Sequence, residues 1–381
     1  MINFEPDEQQ LNMRRLAQKF ARNTIRPVAF EYDDAETPPW PVLAQAAQQG
    51  LMSYRYPEQY GGSGIDSVLT ACLVSEEFGW GCAGIGNNLL AGDTGVLPIL
   101  LNGNSEQKSR YIPQFCDKKQ VRTGAFALTE PNAGSDISAI RTTAVPDGND
   151  YVINGEKTMI TAAGIADLYI IFAQLEHAGI TAFIVEADST GLSIGGTYRK
   201  TGMRASQVGS IQLKNVRVPA SNRLGEEGQG FYIAMRFFEY NRPVLAALAV
   251  GVARAAYEYA LEYAQKRVQF GQPVISNQAI SFMLADMATE IDAARLLVWR
   301  AASLVDKNLP ANAQASMAKV YATDMAVKAT NNAVQILGGM GVMRDHPVEK
   351  WARDAKVLQI VEGTGQIQRM IISQLVSTGK N

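Results

Sequence analysis

Near residue 120 the chain changes texture and near residue 230 it changes back, which restricts the architectures open to it. Before the first change, apolar residues recur at helical spacing, as in Leu11, Leu16, Phe20 and Ile25 between Asp7 and about Ala29. Pro38-Pro39 interrupts, a further helix ends near Gly50, and Tyr60-Gly61-Gly62-Ser63-Gly64 reads as a loop. Helical patterns return from Ser67 to about Asp117. In the middle, Leu168–Ala173 and Thr181–Val185 read as short apolar strands joined by a glycine-containing turn. Ile211, Leu213, Val216 and Val218 mark another strand, ending at Pro219. The pair Asn154-Gly155 between strand-like runs predicts a tight hairpin. Short strands without long intervening helices call for an antiparallel sheet or small barrel rather than a βαβ domain. After Gly230 the helical period resumes, with Ile280, Met283, Met287, Ile291, Ala294 and Leu297 at spacings of three or four and Thr323–Leu337 similar. These stripes read as bundle packing. The expected fold class is α+β: an N-terminal all-α domain (1–119), a middle antiparallel β domain (120–232) and a C-terminal helical domain (233–381).

At 381 residues with 47% hydrophobic and 19% charged content, the chain can bury a large core. A formal net charge of -2 leaves no basic field for nucleic acid and no polybasic membrane patch, so small molecules or proteins are the expected partners. Cys72, Cys82 and Cys116 form no CxxC pair, and His177 and His346 lie far apart, so neither disulfides nor a His/Cys metal site is expected. Met1–Asp7 lacks the basic start and apolar run of a signal peptide. No uninterrupted apolar stretch reaches the ~18 residues of a membrane span, and a cytoplasmic enzyme is the expectation.

The stretch Phe126-Ala127-Leu128-Thr129-Glu130-Pro131-Asn132-Ala133-Gly134-Ser135-Asp136 joins a strand end to a Gly/Ser/Asp loop. Hydroxyls and free amides can converge there on a polar ligand, although such a stretch alone also reads as an ordinary turn. It is neither a GxGxxG fingerprint nor a P-loop. The string as a whole resembles a signature of the acyl-CoA dehydrogenase family. So do Gly225–Phe231, Arg267-Val268-Gln269-Phe270-Gly271, Gln335–Gly339, Arg353–Lys356 and Val361-Glu362-Gly363-Thr364-Gly365-Gln366-Ile367-Gln368-Arg369. They occur in family order and span essentially the whole chain.

The resemblance implies the family's architecture, with a four-helix bundle as the C-terminal domain, and FAD held between the β domain and the C-terminal helices. Phe126, Leu128, Thr129 and Ser135 match positions contacting the flavin, and Met159-Ile160-Thr161 matches the second flavin segment. Met159 stands where the family usually carries an aromatic residue. Arg267, Phe270, Gln335, Gly338 and Gly339 match positions holding the adenosine and pyrophosphate across a subunit interface, which implies a homotetramer built as a dimer of dimers. Thr364 and Gln366 match FAD contacts beyond the base.

α,β-Dehydrogenation of a thioester removes a proton from Cα and a hydride from Cβ. A carboxylate is a weak base in water, and burial beside an apolar acyl chain raises its proton affinity. Its place in Glu-Gly-Thr makes Glu362 the expected base. Another branch of the family carries a base immediately before the arginine matching Arg242, and here that position is Asn241. Ser135, Glu239, Asn241 and Arg242 are the expected substrate-side residues. Val361 replaces a frequent aromatic residue beside the base. The expected reaction converts a saturated acyl-CoA to the trans-2-enoyl-CoA, as in fatty-acid β-oxidation, with an electron-transferring flavoprotein as acceptor. Similarity around Asn241–Val244, Asn277–Leu284 and His346–Lys350 lies nearest the medium- and short-chain branch. Enoyl-CoA reduction with a partner flavoprotein and a non-catalytic acyl-CoA-binding role are the alternatives.

Overall fold

A computed structural model describes residues 5–379; the expectation about a leader rests partly on residues 1–4, which lie outside the described residues. Asp7 opens the first helix, α1 (Glu8–Phe20), with a capping box in which Asp7 and Gln10 each satisfy the other's N–H at 2.9 Å. The helical pattern expected to reach Ala29 changes pitch on the way, through a π-helical turn at Ala21–Ile25 and a 3₁₀ turn at Arg26–Val28. Then follow α2 (Ala29–Ala35), α3 (Trp40–Gln48), α4 (Val68–Gly81), α5 (Ala83–Leu89), α6 (Ala91–Asn102) and α7 (Ser105–Tyr111).

The sheet contains β1 (Gly124–Ala127), β2 (Thr143–Asp147), β3 (Asp150–Thr161), β4 (Leu168–Leu175), β5 (Gly179–Glu186), β6 (Leu192–Thr197), β7 (Val208–Pro219) and β8 (Arg223–Leu224). Its order is β6-β7-β3-β2-β4-β5-β8, with β1 also on β4. The pairing is antiparallel except that β1 runs parallel to β4, and β2 meets β4 in parallel at Thr143↔Gln174. Parallel neighbours need a long connection, and the loop, β2 and β3 between β1 and β4 supply it.

The hairpin expected at Asn154-Gly155 is not there: both residues lie inside β3, and the reversal precedes them, at Gly148-Asn149 between β2 and β3. Gly155 instead marks a close approach, because a Cβ there would lie 2.4 Å from Thr142 Oγ1. Opposite it, β7 carries one extra residue, so Ile153 pairs with Val216 but Gly155 with Leu213. That bulge explains why Ile211 and Leu213, then Val216 and Val218, all face the core despite their change of phase.

After the sheet come α8 (Gly230–Lys266), a small hairpin of β9 (Val268–Gln269) and β10 (Gln272–Pro273), α9 (Gln278–Asp306) and α10 (Asn312–Leu337). A 3₁₀ turn at Gly338–Val342, α11 (Val348–Ile360) and α12 (Gly365–Ser377) complete the chain. The two helical regions share one apolar core, running from Ala17 and Phe20 through Val74 and Phe78 to Leu248, Ile291 and Leu358. At its centre α4 and α8 nearly touch: a Cβ on Gly79 would lie 2.1 Å from Leu248 O, and one on Gly251 would lie 2.0 Å from Glu76 O. α8 is long and apolar enough to cross a membrane, yet its most apolar window is 72% buried inside the protein, which makes it a core helix.

Candidate active site

The stretch between α11 and α12 carries Glu362 in the left-handed region, at φ 55, followed by Gly363 at φ 90. For a glutamate that conformation costs about 1–3 kcal/mol and persists only where neighbours hold it. Gln368 Nε2 donates to Glu362 O at 3.1 Å and to Gly363 O at 3.0 Å. Lys319 Nζ, from α10, donates to Gln359 O at 3.1 Å and Gly363 O at 2.9 Å. Both side chains belong to residues with no solvent exposure. Thr364 caps α12 by accepting the Ile367 N–H at 3.4 Å.

The Glu362 carboxylate points toward α8. Its Oε1 accepts from Asn241 Nδ2, while Oε2 is buried without a hydrogen-bond partner. Burial raises its pKa above the ordinary value; Arg242, Lys319 and the Asn241 hydrogen bond oppose the rise without cancelling it. Arg242 is buried, donates to Asn312 Oδ1 at 3.2 Å and Ser316 Oγ at 3.4 Å, and lies over the Phe238 ring at 5.0 Å. Its Nε has no partner, and burial lowers the guanidinium to about 10 against the pull of Glu362 and Glu239. Burial likewise lowers Lys319 to about 8, although Glu362 favours its charged form. Two buried cations and one buried carboxylate thus share this end of the bundle. Glu239 Oε1 accepts the Ala311 N–H at 2.8 Å ahead of α10.

A second group gathers at the end of β1. Phe126 stacks on Phe237 of α8 with ring centroids 4.3 Å apart, joining the sheet to the bundle. Leu128 is buried, and Thr129 O accepts the Thr158 N–H at 2.9 Å, which ties this strand end to β3. There β3 bulges, and Met159 takes φ 56 with its side chain 59% exposed. Ser135 is exposed and Thr161 half-buried, and neither hydroxyl has a hydrogen bond among the described residues. Beneath the loop, Lys157 Nζ pairs with Glu130 at 2.7 Å and donates to Leu128 O at 3.1 Å. Glu130 also accepts the Arg141 and Thr142 N–H groups at 2.5 and 3.0 Å. Burial alone would raise Glu130; Lys157 and the donated hydrogen bonds win and leave it below the ordinary value.

A third group faces outward. Arg267 ends α8 and is exposed, with no ion pair among the described residues. Phe270, at φ 53 on the β9–β10 turn, is 98% exposed. Gln335 is exposed at the end of α10, and Gly338-Gly339 follow with open space where side chains would be. Gln366 is exposed on the first turn of α12.

Sequence reasoning missed Lys319, Gln368 and the Glu130–Lys157 pair. A signal existed for Lys319, a lone charge sharing one helical face with Ala315, Ala318 and Ala322. For the pair there was none, because both residues look like solvated polar positions until β3 folds against the loop.

Three family models match in succession: Acyl-CoA dehydrogenase, N-terminal domain over residues 7–119, middle domain over 125–216 and C-terminal domain over 228–376. The chain is 46% identical over 378 residues to an acyl-CoA dehydrogenase of Bacillus subtilis (strain 168), covering 98% of this chain and 99% of that one. Among solved structures it resembles butyryl-CoA dehydrogenase from Megasphaera elsdenii at 38% identity and TM-score 0.95, covering 99% and 100% of the two chains. A second structure, reported for the electron transferring flavoprotein of Acidaminococcus fermentans and flavin-based electron bifurcation, matches at 38% identity and TM-score 0.95 over 98% and 99%.

Proposed function

The chain belongs to the acyl-CoA dehydrogenase family, and on that premise we propose that it oxidises a saturated acyl-CoA to the trans-2-enoyl-CoA with Glu362 as the base. One observation carries the assignment: a carboxylate with raised proton affinity, one oxygen buried and unpartnered, on a strained residue held by two fully buried side chains. The Cα–H bond breaks toward Glu362, and its electron pair passes into the thioester as an enolate. Glu362 becomes neutral as that charge appears, so Arg242 and Lys319 face one negative charge both before and after the transfer. The Glu362 N–H donates to nothing among the described residues and is free for the thioester oxygen.

FAD is the cofactor of this reading, and when bound it supplies the acceptor for the Cβ hydride. The residues fit it: the hydroxyls of Ser135, in the loop after β1, and Thr161, two residues beyond Met159, are unengaged, and Leu128 and Thr129 follow β1, with Thr129 O bonded to the Thr158 N–H beside the bulge. Arg267 offers an unpaired planar cation to a pyrophosphate, and Gly338-Gly339 leave room for its approach. The outward position of Arg267 and Phe270 supports FAD contacts made on a neighbouring subunit, and hence the homotetramer. Likeness to a chain solved in work on an electron transferring flavoprotein supports such a partner as electron acceptor. It also favours enoyl-CoA reduction as a second reading, since microscopic reversibility keeps every residue in its role. The substrate is proposed to be a short- or medium-chain linear acyl-CoA, in keeping with the butyryl-CoA dehydrogenase likeness. Asn241 acts through the base, and Arg242 lies beside the thioester.

Anaerobic flavin bleaching over a panel of linear, branched and cyclic acyl-CoAs tests both chemistry and substrate. Glu362→Gln should bind substrate while bleaching falls by at least ~10²–10⁴-fold. Near-normal bleaching by that variant removes Glu362 from the mechanism.

A further inference from the structure

We propose that Lys319 is a positioning residue for the base: its ammonium fastens the chain on both sides of Glu362 and sets the reach and charge environment of that carboxylate. This deepens the reading of Glu362 and rests on it. Lys319 has no solvent exposure, and no carboxylate lies within ion-pair distance of it among the described residues. Burying an ammonium without a salt bridge is costly, so what it touches is informative. Both its acceptors are main-chain oxygens: Gln359 O at 3.1 Å, three residues before Glu362, and Gly363 O at 2.9 Å, immediately after it. The first is one of the carbonyls left open at the end of α11, where a cation also complements the helix dipole. A helix cap would need only that bond. The second carries the restraint past the left-handed Glu362, so the two bonds bracket the residue whose side chain reaches the substrate.

Gln368 duplicates the mechanical part of this task through Glu362 O and Gly363 O, without a charge. The electrostatic part falls to Lys319. Glu362 is faced by Arg242 and Asn241 from α8 and by Lys319 from α10; Lys319 in turn faces Arg242 and Asp324, and Arg242 faces Glu239. The ammonium favours the carboxylate before proton transfer and the enolate after it. Its shift to about 8 agrees with a group held in a dry, already cationic site.

The test compares FAD-loaded Lys319→Met, Gln368→Leu and Glu362→Gln with the unmodified protein, by anaerobic single-turnover flavin reduction across pH. Lys319→Met should shift the acid limb of the rate up by about one pH unit or more and slow the plateau at least ~10-fold. Its flavin content and its affinity for an enoyl-CoA should stay within about 3-fold. Gln368→Leu should slow the plateau while leaving the limb in place. A folded, flavin-loaded Lys319→Met with the unmodified pH profile overturns the proposal. If that variant does not fold, the unmodified protein decides: reduction should slow at least ~3-fold as pH rises from about 7 to about 10, and a flat rate overturns the proposal. Glu362→Gln separates the two readings, because substantial bleaching by it defeats the base assignment itself, whatever Lys319 does.

Discussion

Replacing Lys157 with methionine should destabilise the protein by roughly 3–4 kcal/mol at neutral pH, through the carboxylate it abandons. Lys157 has no solvent exposure and Glu130 is 6% exposed, and their 2.7 Å ion pair fastens the Leu128–Asp136 loop to β3. Breaking one side of a buried pair typically costs about 3–5 kcal/mol. Glu130 can limit that loss by taking up a proton. From an ordinary value of 4.5, neutralisation at pH 7 costs roughly 3–4 kcal/mol, at about 1.36 kcal/mol per unit. The two bounds meet, and the second brings a sign. In the variant the folded-state pKa of Glu130 is raised, so the penalty is full at neutral pH and shrinks as pH falls toward the unfolded-state value, to less than about 1 kcal/mol at pH 5. In the unmodified protein the same carboxyl is lowered, and its contribution is lost as pH falls through the folded-state value. Urea unfolding at fixed excess FAD, at both pH values, measures the difference; the fixed FAD keeps its own stabilisation constant. Adding Glu130→Gln to Lys157→Met should recover most of the loss, because no buried charge then remains. A loss below about 1 kcal/mol at pH 7, or a double variant no better than the single one, refutes this account.

Two further outcomes follow from geometry. Gly155→Ala should cost on the order of 2 kcal/mol or more, read as a lower unfolding midpoint, because the new methyl would meet Thr142 Oγ1 at 2.4 Å at a φ of 155. Phe270→Ser should leave the stability of the isolated fold nearly unchanged, since the ring is 98% exposed, yet reduce FAD content and assembly size. Sedimentation with flavin absorbance detection reports both, and an intact, fully flavinated oligomer speaks against the inter-subunit role.

What could be read in the sequence was what repeats or punctuates. The helical stripe from Ile280 to Leu297 lies in α9, and the alternation around Ile211–Val218 is β7, its phase break being a real bulge. The hairpin at Asn154-Gly155 failed because glycine signals two different needs, a reversal of the chain or a close approach, and here Thr142 imposed the second. The parallel seating of β1 on β4 was illegible, since nothing local to either strand states its partner. At the candidate site, Glu362 stood out by its motif, whereas its restraints did not. Lys319 and Gln368 lie 43 residues before and 6 after it, and their meeting depends on how α10 packs against α11 and α12.

The glycine crossing of α4 and α8 also bears on how the chain is made. Residues 68–81 leave the ribosome long before residues 230–266, with the whole sheet synthesised in between. Until α8 arrives, α4 can pack on α1 and α5 but lacks its largest neighbour, and one of the tightest fits in the molecule is made late. The sheet can close on its own schedule, but the helical body cannot finish setting until well over half the polypeptide exists. Nascent chains halted before residue 230 should therefore be held by chaperones or degraded, while those released after α10 should mature.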